Sequence, residues 1–122
     1  MDQRHAYQSF KTLHEASHPF VMPNAWDAML ALLVKQAGFK AIGSSSIAIA
    51  FAAGVADGMH RIDRAAAIAN AALLARVTGL PVNGDLEDGF GPSAEDCVAT
   101  VEAAIAAGLA GLGIEDTTAD PQ

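Results

Sequence analysis

The segment 81–92, PVNGDLEDGFGP, contains three acidic residues within four consecutive positions: Asp85, Glu87 and Asp88. Asp85 and Glu87 are two positions apart, and on a β-strand residues two apart point to the same side of the sheet. Two neighbouring carboxylates repel each other unless both are solvated or a cation lies between them. The spacing therefore leaves two alternatives, a solvated loop with Asp88 as a further surface acid, or a cation site.

Two other polar clusters also follow short apolar runs. Ser44, Ser45 and Ser46 come at the end of one run, and Glu115 and Asp116 come directly after another. In parallel α/β folds, ligands bind at the carboxyl ends of the strands. We therefore expect the serines, the acids around Asp85 and the acids around Glu115 to converge on one site.

The elements that would position these clusters are short strands alternating with helices. A helix with an apolar side is predicted first, over residues 3–17. Four short apolar runs are predicted strands, at residues 20–22, 41–45, 81–85 and 110–114. Strands that alternate with helices of this length are typical of parallel α/β architecture. The chain is thus predicted to be one α/β domain over residues 1–122, with its N-terminal helix within 1–18 and the strands and helices within 20–116.

Three helices are predicted between the strands, each with a capping residue. Asn24 is the predicted N-cap of the first, and its predicted core face includes Met29, Leu32 and Leu33. The second runs from about Asp63 to Thr78, with Gly79 at its end. The third begins at Ser93, which forms a near-match to a capping box with Asp96, and its predicted core face includes Val98 and Ile105.

Residues 47–61, IAIAFAAGVADGMHR, are predicted to form a long loop with a turn at Asp57-Gly58. Loops of this length in compact domains are usually functional. The four histidines, including His60, show no metal-ligand spacing and no evident partner, so they are predicted to be surface or packing residues. Cys97 is placed on a helix face.

Composition limits the classes of partner. The 122 residues carry a formal net charge of −7, which disfavours nucleic acid and anionic membrane surfaces. A single cysteine excludes an internal disulfide, and no apolar run approaches the length of a membrane span. These features predict a soluble cytoplasmic protein, and the missing glycine-rich turn after the first predicted strand argues against a nucleotide-binding module.

The chain from about Phe20 to Asp116 resembles the isocitrate lyase/phosphoenolpyruvate mutase superfamily. The matching motifs occur in the order and at the spacings of that family: MPNAWDAMLALLVKQAGFKAIGSSS, VADG, GDLEDGFG and GLGIEDT. The family fold is a (β/α)8 TIM barrel. The resemblance implies that this chain is the N-terminal half of such a barrel, with four parallel strands and an extra N-terminal helix.

The same resemblance implies an active site around Mg²⁺, with Mn²⁺ as a possible substitute. Asp85, Glu87 and Glu115 match the family's metal-site acids, with Asp85 as the direct ligand and the other two holding waters. Ser45 and Ser46 match the loop that binds the substrate carboxylate, and Asp57 matches a catalytic aspartate. Glu87 departs from members that have the shorter Asp there. The alternatives are solvated acids, an ordinary serine turn and a plain Asp-Gly turn.

The function that the resemblance implies is cleavage or formation of a carbon–carbon bond in a 2-oxo acid or related carboxylic acid, through a metal-stabilised enolate. Phosphorus–carbon mutase or hydrolase chemistry is the alternative, as is an inactive half-barrel that functions only by assembly. The lysine–arginine–cysteine–glycine–histidine signature of the lyase branch is not seen, which argues against an isocitrate-lyase-type acid. The resemblance implies a homo-oligomeric full-length enzyme, with this part alone inactive.

Overall fold

A computed structural model describes residues 2–116, which form a parallel sheet with helices packed on it. The elements in chain order are α1 (Gln3–Glu15), α2 (Ala28–Gln36), β1 (Ile42–Gly43), α3 (Ser46–Ala52), α4 (Arg64–Thr78), β2 (Val82–Asp85), α5 (Ala94–Ala106) and β3 (Gly111–Gly113). The α/β class and the parallel strands agree with the sequence prediction. Within residues 2–116, no helix is both long and apolar enough to cross a membrane.

The sheet has the strand order β1-β2-β3, and both strand pairs are parallel. Ile42 is level with Val82, and Asp85 is level with Gly113. The strands are therefore in sequence order, which is the order that successive right-handed β–α–β connections produce. This register brings the ends of β1 and β2, with the polar residues that follow them, to the same edge of the sheet.

The first predicted strand, at residues 20–22, is not a regular strand in the described part of the chain. One parallel bridge joins Asn24 to Gly43, where the Gly43 N–H donates to the Pro23 carbonyl at 3.0 Å and the Ala25 N–H donates to the Gly43 carbonyl at 2.9 Å. The physical reason is that Pro19 and Pro23 flank the run, and proline has no N–H with which to extend a ladder. Residues 2–116 thus contain three strands, where the sequence predicted four.

Helix α2 starts three residues later than predicted. Its N-cap is Asp27, whose Oδ1 accepts the Leu30 N–H at 2.7 Å. Asn24 was predicted to be the cap, but its backbone is engaged in the bridge to Gly43. At the other end of α2, Gly38 follows the C-cap Ala37 with a φ of +91°, which suits the residue after a helix C-cap.

Part of the predicted loop at 47–61 is helical, since α3 occupies Ser46–Ala52. Ser45 caps this helix by accepting the Ala48 N–H at 3.4 Å. The alanines at positions 48, 50 and 52 favour a helix, whereas the turn signals at Gly54 and Asp57-Gly58 apply only to the second half of the segment. The prediction of a continuous loop was therefore wrong for residues 47–52.

The helices α4 and α5 agree best with the sequence prediction. Asp63 caps α4 through the Ala66 N–H at 2.8 Å, and Gly79 follows α4 with a φ of +67°. Ser93 and Asp96 form a complete capping box at the start of α5. Local capping chemistry was sufficient to locate these two helices.

The core lies between the sheet and the helices, with α4 packed on β2 and flanked by α2 and α5. The fully buried side chains there include Ile42, Leu74, Val82 and Leu86. The predicted core faces of α2 and α5 are wrong, because the side chains that lie inside are Ala31, Val34, Thr100 and Ala104. Five of the larger apolar side chains of these two helices are exposed: Met29, Leu32, Leu33, Val98 and Ile105.

Candidate active site

The end of β1 and the end of β2 are joined by two short hydrogen bonds. The Asp85 N–H donates to Ser44 Oγ at 2.8 Å, and the Ser46 N–H donates to Asp85 Oδ2 at 2.8 Å. These contacts span about forty residues of sequence, and they follow from the parallel register of the two strands. The expected convergence of the serine cluster with Asp85 is therefore present. Ser44, which was predicted only as part of a hydroxyl run, is the residue that fixes the Asp85 backbone.

Ser45 and Ser46 have different environments. Ser45 is buried, and its hydroxyl oxygen is engaged in capping α3. Ser46 Oγ lies 3.5 Å from Asp57 Oδ2, while its N–H binds Asp85. Ser46 thus connects the two predicted acids Asp57 and Asp85, whereas the described contacts of Ser45 are those of a helix cap.

Two carboxylate oxygens in this region are buried without a hydrogen-bond partner among the described residues. They are Asp57 Oδ1 and Glu87 Oε2. Glu87 is only 8% exposed, and its backbone has a φ of +48°, in the left-handed region that non-glycine residues seldom adopt. A buried acceptor without a donor is unfavourable by roughly 1–3 kcal/mol. Such strain concentrates at functional sites, and a cation or its bound waters can satisfy carboxylate oxygens of this kind.

The electrostatics of Glu87 reflect the same crowding. Burial raises the pKa of Glu87, and the negative charges of Asp57, Asp88 and Asp85 raise it further, while the nearby His60 opposes this shift. A carboxylate whose neighbours are three other acids is unfavourable as an anion unless positive charge is supplied. The region therefore has the charge distribution of a cation site.

His60 has a partner that the sequence did not indicate. His60 Nε2 lies 2.7 Å from Asp88 Oδ1, and the His60 ring is 5.6 Å from the ring of Phe90. Burial alone would raise the pKa of Asp88, but hydrogen bonds from His60 and the Phe90 N–H outweigh it and lower that pKa. His60 is exposed, as predicted for a surface residue, and its partner could not be identified from the sequence because a separation of 28 residues carries no spacing signal.

Glu115 joins the site through its backbone. Its N–H donates to the Glu87 carbonyl at 2.7 Å, so β3 ends beside the segment that carries Glu87. Its side chain is exposed. Within residues 2–116, no three histidine, cysteine or acidic side chains are arranged closely enough to hold a metal ion.

The donor set nevertheless fits Mg²⁺, because this ion prefers oxygen ligands, keeps several waters and needs only one or two direct carboxylates. Asp85, oriented by the Ser46 N–H, and Glu87, with its unpartnered oxygen, meet that requirement.

A cleft of about 800 Å³ has a lining that includes His60, Asp88, Phe90, Glu115 and Asp116. A cleft of this size falls in the range of small-molecule sites, which combine apolar walls with a few polar groups. Of the residues predicted from the sequence as site residues, only Glu115 lines it.

Comparison with known proteins identifies relatives along nearly the whole chain. The family model described as phosphoenolpyruvate phosphomutase matches residues 10–122. An uncharacterized protein of Mycobacterium tuberculosis is 42% identical over 92% of this chain and 42% of its own length. A 2-methylisocitrate lyase of Halalkalibacterium halodurans is 32% identical over 93% of this chain and 37% of its own. The chain thus spans about two fifths of the length of these relatives.

The fold also matches solved enzymes. A phosphonopyruvate hydrolase, solved in complex with oxalate and Mg²⁺, superimposes with a TM-score of 0.88 at 23% identity, over 100% of this chain and 41% of that one. At that identity the match concerns the fold. The resemblance derived from the sequence motifs is confirmed, while the half-barrel with four strands stays a prediction.

Proposed function

Since this chain belongs to the phosphoenolpyruvate phosphomutase family, we propose that it carries the magnesium-binding part of the active site of a lyase. The substrate class is a 2-oxo acid or a related carboxylic acid, and the bond broken or formed is a carbon–carbon bond. The observation that carries the proposal is the pair of buried, unpartnered oxygens on Asp57 and Glu87, next to Asp85. The identity of 32% to a 2-methylisocitrate lyase supports the reaction class.

Each residue is proposed to have a definite task. Asp85 binds the metal directly, in the orientation given by the Ser46 N–H, while Glu87 and Glu115 hold metal-bound waters. Ser45 and Ser46 lie at the start of α3, where hydroxyl and N–H groups can orient a substrate carboxylate. Asp57, beside Ser46 Oγ and near Glu87, acts on the reacting part of the substrate at the edge of the metal site. When bound, Mg²⁺ supplies stabilisation of negative charge on an enolate-like substrate.

Mg²⁺ or Mn²⁺ titration in the presence of oxalate tests the metal site. Oxalate serves as an enolate mimic, and its complex with Mg²⁺ in a phosphonopyruvate hydrolase of the same fold supports this choice. The melting temperature of the wild-type chain is expected to rise with metal and oxalate, and that of Asp85→Asn is expected to stay constant. Glu102→Gln, which removes an exposed acid of α5, is the matched control and should respond like the wild type.

The existence of the metal site and the class of reaction are tested by different outcomes. Absence of any shift in the wild type overturns the metal site. The reaction class is tested with the full-length protein and Mg²⁺, by product analysis after incubation with 2-methylisocitrate or with phosphonopyruvate. Release of a 2-oxo acid or its cleavage partner from the first substrate is expected. Turnover of the phosphonate alone would overturn the carbon–carbon assignment and leave the metal site standing.

A further inference from the structure

One hydrogen bond connects the two segments that carry the unpartnered oxygens. Residues 53–63, between α3 and α4, carry Asp57, and residues 86–93, between β2 and α5, carry Glu87. The 2.7 Å contact from His60 Nε2 to Asp88 Oδ1 joins them. His60 is three residues from Asp57, and Asp88 directly follows Glu87. The contact therefore links the segment that carries Asp57 directly to the segment that carries Glu87.

The segment 86–93 has a conformation that must be held in place. Glu87, Gly89 and Phe90 all have positive φ, at +48°, +88° and +64°. Asp88 Oδ1 also accepts the Phe90 N–H at 2.9 Å, so the oxygen that binds His60 is the one that closes this turn. Backbone of this kind persists only where the surroundings determine it strongly. His60 and its ring contact with Phe90 are part of those surroundings.

A second link nearby acts on a different part of the chain. Arg64 Nη2 donates to the Phe90 carbonyl at 3.4 Å and lies 3.6 Å from Asp96 Oδ1. Arg64 is the first residue of α4, so this link fixes the start of that helix on α5. Residues 57–60 are held instead by the 3.5 Å contact between Ser46 Oγ and Asp57 Oδ2 and by His60.

The negative charges of Asp57 and Glu87 repel each other when the two segments are held together. The Asp57 charge is one of the causes that disfavour ionised Glu87. Without a tie between the segments, the repulsion would separate Asp57 from Glu87 in the metal-free protein, and the metal would then have to bring them together at the expense of its affinity.

We propose that His60 is a positioning residue, whose hydrogen bond to Asp88 holds Asp57 beside Glu87 so that the metal site is preformed. The inference rests on the proposed function, since it concerns the affinity of the same magnesium site. His60 is 43% exposed at its side chain and makes its ring-nitrogen contact with Asp88. It acts through Asp88 and does not bind the metal.

Two substitutions distinguish the effect of losing the His60 hydrogen bond from the effect of changing the backbone conformation at this position. His60→Asn suits the positive φ of this position, because asparagine tolerates the left-handed region, but its side chain is too short to reach Asp88. His60→Gln retains an N–H donor at similar reach. His5→Ala, on the exposed side of α1, is the control. Two quantities are measured: Mg²⁺ affinity by calorimetry with oxalate present, and amide hydrogen exchange of residues 56–62 in the metal-free protein.

His60→Asn is expected to weaken Mg²⁺ binding and to accelerate exchange, each by roughly tenfold, as for other residues that orient metal ligands. His60→Gln is expected to restore both to near the wild-type values. Unchanged affinity in His60→Asn overturns the proposal, whether or not exchange rises. If the wild type does not bind Mg²⁺, the proposed function is overturned instead. The role of the His60–Asp88 contact is then decided by amide hydrogen exchange alone, and an unchanged exchange rate in His60→Asn refutes it.

Discussion

At the scale of single residues, the site is defined by carboxylates whose hydrogen bonding is incomplete among the described residues. Asp85 is held by backbone and hydroxyl groups of β1 and α3, but Asp57 and Glu87 each keep one buried oxygen without a partner among residues 2–116. The sequence singled out Asp85 and Glu87 by their spacing after a predicted strand, and Asp57 through the family resemblance. It missed Ser44 as the residue that fixes Asp85, because that contact depends on the register of two strands. It missed the His60–Asp88 contact because that depends on the path of two loops.

Removal of the Glu87 charge is expected to stabilise the metal-free protein at neutral pH. The folded-state pKa of Glu87 is raised above its ordinary value of 4.5, chiefly by burial and by Asp57. The folded state then binds more protons than the unfolded state, so stability declines as pH rises from about 4.5 through the raised pKa. Because glutamine does not ionise, the stability of Glu87→Gln does not show this decline.

The measurement is urea unfolding of wild type and Glu87→Gln at pH 4 and pH 7 with EDTA. The variant is expected to be more stable by about 1 kcal/mol at pH 7, an estimate for the relief of one close repulsion, and to differ little at pH 4. Saturating Mg²⁺ should reverse the order. Equal stabilities at both pH values in EDTA would contradict the origin assigned to the shift.

Gly89 permits close approach between the turn after β2 and α5. Its φ is +88°, and a Cβ on it would lie 2.8 Å from Cys97 Sγ. Gly89→Ala is therefore expected to lower the free energy of unfolding by roughly 2–4 kcal/mol, since overpacking adds to the backbone strain. Thermal unfolding measures this, with Gly38→Ala as the control, which shares the positive φ but has open space around the Cβ position. A similar loss in the free energy of unfolding in both variants would show that the contact with Cys97 does not contribute to the effect at Gly89.

At the scale of elements, capping chemistry predicted helix boundaries well where it was unopposed. The Ser93–Asp96 box stands as predicted, and the helix predicted from about Asp63 is capped by that residue, while Asn24 was displaced by Asp27 because the bridge to Gly43 requires extended backbone. Helix α3 was missed because its two isoleucines and the turn signals that follow it suggested a loop. A short-range pattern can identify a cap, but it cannot show which of two caps tertiary contacts will select.

The cap of α2 gives a direct test of that choice. Asp27→Ala is expected to lower the free energy of unfolding by about 1 kcal/mol, the usual contribution of a helix N-cap, because the Leu30 N–H loses its acceptor. Chemical denaturation provides the value, and Asp27→Asn, which retains a capping oxygen, should lie close to wild type. A loss as large in Asp27→Asn would indicate that the charge matters more than the cap.

At the scale of the whole molecule, the outer helices are unusual. Both α2 and α5 bury small side chains and expose larger ones, notably Met29 at 72% and Val98 at 55%. A helix that is apolar on several sides is typical of one that is covered on several sides. The predicted faces were wrong for this reason, since the pattern fits two faces equally well. The exposed side chains lie on the two helices that pack against α4.

These exposed side chains predict self-association of the chain over residues 1–122. Light scattering after size exclusion at rising concentration is expected to show species larger than the monomer of 12.5 kDa. Met29→Gln together with Leu33→Gln should shift the population towards the monomer, because both side chains are exposed on α2. Val21→Gln, an exposed residue outside the helices, serves as the control. A monomer at all concentrations would contradict the prediction.

The position of Gly113 has a practical consequence. It is level with Asp85 in the sheet, and among the described residues no atom lies within 4 Å of where its Cβ would be. A side chain should therefore be accommodated there without displacing a neighbour. Gly113→Cys would provide an attachment point for a fluorophore or spin label one strand away from Asp85, and so a spectroscopic reporter that follows occupancy of the acidic cluster without altering any of its carboxylates.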